Sequence, residues 1–226
     1  MQMKRLYQAG GISAILLGVS YIVITLLYVI GGALPGGAEA WLKHLAAHSG
    51  EWRAILALSV LTDFLFIPVM WALYNLLKEV NKNAVLAGAG FVGLFVVLDL
   101  AVTWPNYASL ISLGGQYAAA VDHNQAALLV APANYAVGVL SSGLFGVYAI
   151  LVPALGIFIL GPVMLKGNFG KAAAYIGIIT GILGIVSVIG PVFIAALGMA
   201  AVITSVFTIV WVLLVGFKLL KLSFPL

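Results

Sequence analysis

The sequence contains no cysteine, which excludes disulfides, thiolate metal sites and thiol nucleophiles and leaves the redox compartment unread. Charge is nearly as scarce: Asp, Glu, Lys and Arg make up 7% of the 226 residues, against roughly 25% in an ordinary soluble domain. The basic residues stand in ones and twos along the chain, so the net charge of +4 forms no continuous surface for nucleic acid. No nucleophile elbow, Walker loop or dinucleotide fingerprint is present. "GAGFVG" at residues 88–93 lies inside an apolar stretch with no strand before it and reads as glycine packing. No lysine falls within an apolar segment, which argues against a Schiff-base chromophore.

What remains is apolar. Hydrophobic residues make up 64% of the chain and the mean hydropathy is +1.22, values that belong to a bilayer rather than to water. Six apolar segments, at 8–33, 52–77, 84–114, 138–165, 172–190 and 192–217, are each long enough to cross about 30 Å as a helix. The expected fold is all-α: one polytopic transmembrane domain over residues 1–226 with no separate soluble unit. The first segment is too long for a signal peptide, although Ala38-Glu39-Ala40 resembles a cleavage site.

Lys and Arg set the orientation. With the N-terminus inside and six crossings, Lys4, Arg5, Lys78, Lys82, Lys166, Lys171, Lys218 and Lys221 fall inside, leaving Lys43 and Arg53 outside. This is a strong positive-inside bias. A seventh span at 122–140 would undo it. That stretch is instead expected to be an amphipathic or partly inserted outer helix interrupted by Pro132 and Gly138, and residues 31–52 a second interfacial helix, with Trp41 and Trp52 at headgroup level. Both termini are then inside. Gly190-Pro191 marks a tight hairpin between the last two spans, and Gly177, Gly181 and Gly184 have the small-residue spacing of close helix packing.

Asp63 and Asp99 are the only ionisable side chains deep within predicted spans, eighteen residues before and after Asn81. A hairpin turning near Asn81 sets both at one depth, each roughly 22 Å from its inner helix end. Asp99, Thr103 and Asn106 follow i, i+4, i+7 and share a helix face, beside a kink expected from Pro105. Ser59, Thr62 and Asp63 repeat the device ahead of Pro68. An ionised carboxylate at bilayer depth costs several kcal/mol and no Lys or Arg reaches it, so at least one carboxyl is expected to be neutral. The pair serves either as hydrogen-bonding glue between helices or as a functional site: a relay for protons or cations, or the polar anchor of a small-molecule pocket.

The histidines all fall outside. His44, His48 and Glu51 are spaced i, i+4, i+7, a pattern that presents two imidazoles and a carboxylate to one metal, and Asp122 and His123 could complete the set. Two histidines on an interfacial helix are more often half-exposed amphipathic residues than ligands, so no cofactor is expected. Arg53, beside Glu51 and Trp52, reads as an interfacial anchor.

"LSVLTDFLFIPVMWALYNLLKEVNKNAVL", residues 58–86, resembles the signature of domain of unknown function 4386, a family of bacterial and archaeal membrane proteins. The resemblance implies about six spans, a place in a prokaryotic cytoplasmic membrane, and family positions at Arg53, Asp63, Tyr74 and Asn81. It brings no activity with it. The function expected is therefore non-enzymatic: an accessory subunit of a membrane complex, or a binder of a lipid-like small molecule with membrane lipids and other membrane subunits as partners. A proton-coupled carrier or channel acting through Asp63 and Asp99 is the alternative, and a membrane-embedded metalloenzyme using His44, His48 and His123 the third reading.

Overall fold

A chain so rich in Leu, Ile, Val, Ala and Gly satisfies its backbone internally when it has no water to bond to, and the helix does this within one segment. A computed structural model describes residues 2–167 and 169–224, and the described chain is helical throughout with short connections. The elements are α1 (Gln2–Gly31), α2 (Ala38–Ala47), α3 (Ser49–Leu98), a π-helical turn (Asp99–Thr103), α4 (Trp104–Ala118) and α5 (His123–Leu140). They continue with α6 (Gly143–Gly146), a second π-helical turn (Val147–Leu151), α7 (Val152–Lys166), α8 (Lys171–Ile189), two 3-10 turns (Gly190–Val192 and Ala195–Met199) and α9 (Ala200–Ser223). Five helical runs among the described residues are long and apolar enough to cross a membrane: Met3–Gly31, Ser49–Ala118, Gly143–Lys166, Lys171–Val192 and Ala195–Ser223. This is the architecture of a helical membrane protein.

The second run, of 70 residues, would extend about 105 Å if straight, several times a bilayer's apolar thickness. It is not straight. Asn81 alone leaves helical geometry, at φ −161° and ψ 91°, and its Oδ1 accepts from the Ala84 amide at 3.1 Å, capping the second arm. The arms double back: the Phe66 and Phe95 rings meet edge to face at 5.9 Å, and the Trp104 indole reaches Asp63.

The bend brings the helix ends bearing Lys4, Arg5, Lys78, Lys82, Lys166, Lys171, Lys218 and Lys221 together. Gly167 lies against Leu77 and Val80, and Gly11 against Leu220. We call this the basic end; α2 and α5 lie across the opposite, or cap, end. Near the basic end helices approach over glycine. A Cβ at Gly156 would sit 2.7 Å from the Gly88 carbonyl oxygen, and one at Gly18 2.6 Å from Leu213. Gly181 and Gly184 admit Phe158 and Ala154 in the same way, as the glycine spacing predicts.

Two connections differ from expectation. Pro132 and Gly138 do not interrupt α5, which runs unbroken to Leu140 and turns Ala133, Ala136 and Leu140 inward. The break falls at Ser141 and Ser142: Ser141 Oγ donates to the Val137 carbonyl at 2.7 Å, and Ser142 caps the next helix by accepting from the Phe145 amide at 3.3 Å. The fourth apolar helix therefore starts at Gly143, not 138. Nor is Gly190-Pro191 a tight hairpin. Leu197 folds over Gly190 at a distance only glycine allows, so the turn takes in residues through Met199, and the last helix occupies Ala200–Ser223 rather than 192–217.

The cap is a packed layer. Trp41, Leu42 and Leu45 of α2 are buried with Trp52, Tyr107, Leu110 and Ala136 in an apolar cluster separate from the core of the basic half. Trp52, expected at the headgroups, is 2% exposed and stacks on Tyr107 with ring centroids 5.4 Å apart.

Candidate functional site

Between the two clusters lies a cavity of about 320 Å³, within the range of small-molecule sites. Ser59, Thr62 and Asp63 enter it from the first arm of α3, Asp99 and Thr103 from the π-turn. All five are at least 95% buried. The two carboxyls, level by residue count, thus share one chamber.

The sequence dictates how. Pro105 offers no amide hydrogen and its ring crowds the turn before it; the helix absorbs this as the π-turn over Asp99–Thr103, a widening that recurs at functional sites. Pro153 stands in the same relation to the π-turn over Val147–Leu151. The two widened turns meet: Thr103 Oγ1 donates to Tyr148 Oη at 3.3 Å.

The extra residue in the π-turn also rotates the start of α4. Asn106, expected on the face of Asp99 and Thr103, is turned out of the cavity and donates to the Val102 carbonyl at 2.7 Å. Trp104 and Tyr107 take its place. The Trp104 Nε1–H donates to Asp63 Oδ2 at 2.6 Å, while Asp99 Oδ1 has no hydrogen-bond partner. Two similar carboxyls therefore stand in different states, one held by an indole and one with an oxygen left unpaired. Trp211 Nε1, also buried and unpartnered, points instead into the space over Gly177.

The residues that sequence reasoning missed are aromatic. Tyr21 and Tyr28 of α1 line the chamber with Ile24 and Thr25. Their i, i+3, i+4, i+7 spacing is a readable signal, but one that a pattern of ionisable groups does not contain. Trp104 stacks on Tyr107 at 5.8 Å, and Phe66, Phe95 and Phe145 complete an aromatic lining. Among the described residues no Lys, Arg or His borders the cavity.

The outer residues gather less closely. The His44 and His48 rings are 4.9 Å apart and His48 Nδ1 stands 4.0 Å from Glu51 Oε1. Among the described residues no three His, Cys, Asp or Glu side chains are grouped to hold a metal. His123 acts electrostatically on Glu39 instead. Glu39 pairs with Lys43 at 2.8 Å and accepts from Tyr117 Oη at 3.2 Å; hydrogen bonds from Lys43 and Tyr117 hold its carboxyl below the usual range. Arg53 is exposed at the cap end.

A helical membrane protein with an acidic, aromatic chamber between a glycine-packed half and a capped half is the class that fold and site define. The chain belongs to the family described as Domain of unknown function (DUF4386), whose model matches residues 16–221. No curated protein and no solved structure matches it.

Proposed function

We propose that the protein is a six-span integral protein of the prokaryotic cytoplasmic membrane, both termini inside, that binds one lipid-like small molecule in the chamber around Asp63 and Asp99. The bend at Asn81 supports six crossings, because each arm is about 50 Å long, and the single basic end supports the orientation. The observation that carries the binding reading is the cavity of about 320 Å³ bordered by both buried aspartates, one of which keeps a carboxyl oxygen without a hydrogen-bond partner in the protein, a state that forfeits about 1–3 kcal/mol. Glue between helices would leave both carboxyls engaged.

Native mass spectrometry after mild detergent extraction tests this. The unaltered protein should carry one small molecule per chain, lost in Ala149→Trp, which fills the chamber from its lining; identical spectra from the two proteins would count against binding there. A co-purifying subunit in the same spectrum would favour the accessory-subunit reading. The same pair of carboxyls in one cavity favours a proton-coupled carrier as the second reading, which requires proton uptake into proteoliposomes that Asp99→Asn abolishes.

A further inference from the structure

The chamber has a polarity of its own. Four of its hydroxyls donate to their own helix backbone: Thr25 to Tyr21 O at 2.8 Å, Thr204 to Ala200 O at 2.8 Å, Ser205 to Ala201 O at 3.0 Å and Thr208 to Thr204 O at 2.9 Å. Thr62 donates to Ser59 O at 2.7 Å, and the Trp104 N–H is taken by Asp63. What the lining adds is the carboxyls of Asp63 and Asp99 among the rings of Tyr21, Tyr28, Phe66, Phe95, Trp104 and Tyr107. Aromatic faces and carboxylates both attract cations. With no Lys, Arg or His at the lining among the described residues, an anionic headgroup would find no counter-charge.

The chamber also opens sideways. Toward the basic end α1 and α9 close on each other at Gly11 and Leu220, Ile15 and Gly216, Gly18 and Leu213. About two turns further on, Thr25 and Ser205 both border the cavity and are exposed. Around this mouth Ile22, Leu26, Val202 and Val206 are 42%, 56%, 69% and 52% exposed, an apolar rim suited to acyl chains. At roughly 30 Å³ per water-sized group, a chamber of about 320 Å³ takes a headgroup and a few methylenes, and a longer tail must leave through this seam.

We infer that the ligand is an amphiphile with a protonated amine headgroup, held between the Asp99 carboxyl and the aromatic lining, with its tail leaving between α1 and α9 into the bilayer. This rests on the binding reading above and narrows it to one chemical class. The bound ammonium supplies the positive charge that the described lining lacks, and it allows Asp99 to remain ionised at bilayer depth.

Calorimetry in lipid nanodiscs, against empty discs, separates the two claims with three probes of one chain length: decylamine, decanol and decyl sulfate. Decylamine should saturate at one per protein and bind roughly tenfold or more tighter than decanol, the scale of a desolvated cation–π contact, with decyl sulfate unable to compete. Asp99→Asn should abolish that preference while leaving decanol affinity within about twofold. Saturable binding of decanol or decyl sulfate as tight as that of decylamine would overturn the amine assignment and leave the binding reading standing. No saturable binding by any probe would remove both. The three-probe comparison on the unaltered protein decides even where Asp99→Asn does not fold.

Discussion

The two ends of the α1–α9 seam are made from the same kinds of residue and do opposite things. Toward the basic end, Gly11, Gly18 and Gly216 let side chains of the opposite helix lie where a Cβ would stand. Toward the cap end the small residues are Thr25, Ser205 and Thr208, whose hydroxyls bond to their own backbone, and the helices part around a cavity. Glycine removes volume and lets backbones meet, whereas a back-bonded hydroxyl keeps volume and hides a donor. One half is thereby built to hold the helices and the other to leave room.

The largest expected effect lies in the tight half. Gly156→Val pushes branched carbons into the Gly88 backbone, which cannot swing aside as a side chain would, and should cost about 2–3 kcal/mol. Gly90→Ala on the same arm of α3 meets nothing within 4 Å and should be neutral or stabilising by less than about 1 kcal/mol. Thermal unfolding in detergent reads both; equal losses would show that close packing is not what separates the halves.

Next come the two aspartates. Asp63→Leu strands the Trp104 N–H and should cost about 1–3 kcal/mol. Asp99→Leu strands no partner on Oδ1 and should cost at least about 1 kcal/mol less. The reverse order would mean that Asp99, not Asp63, holds the helices together. In the cap, Ser142→Ala removes the N-cap of α6 and should cost about 1 kcal/mol, read by hydrogen exchange over residues 143–151.

Much of this is legible in the sequence. Equal counts from Asn81 set Asp63 and Asp99 at one level, and Pro105 marks the distorted turn. How the distortion is absorbed is not legible: a π-turn keeps Asp99 and Thr103 on the cavity and rotates Asn106 away, whereas an ordinary kink would keep all three together. The cap reads as two surface helices because their polar residues are visible in sequence, while the meeting of Trp41, Trp52 and Tyr107 from three separate segments is a tertiary fact. Gly190 marks a turn but not its length, which depends on Leu197 folding back.

The smallest effect is electrostatic and confined to α2. Burial, with His48 adjacent, holds His44 below its ordinary value of 6.5, so the released helix binds a proton there more readily than the packed one. Stability from this group is lost as pH falls through 6.5. Glu39, held below its ordinary 4.5 by its hydrogen bonds to Lys43 and Tyr117, adds a loss in the same direction below pH 4.5. Protection factors of the α2 amides, corrected for the pH dependence of intrinsic exchange, should fall between pH 7 and 5 while those of α8 stay unchanged; an equal fall in α8 would place the response in the bundle as a whole.

The absence of native cysteine allows the central claim to be tested directly, because any thiol introduced is the only one. Ser59, 3% exposed, borders the cavity, whereas Thr180, 0% exposed, is buried at mid-depth in α8 away from it. In protein washed free of lipid, Ser59→Cys should react with a small methanethiosulfonate ammonium reagent at least tenfold faster than Thr180→Cys, and decylamine should slow only the former. If the two thiols are equally inert, the space around Asp63 and Asp99 is closed to water and ligand alike, and the division into a holding half and a binding half is contradicted.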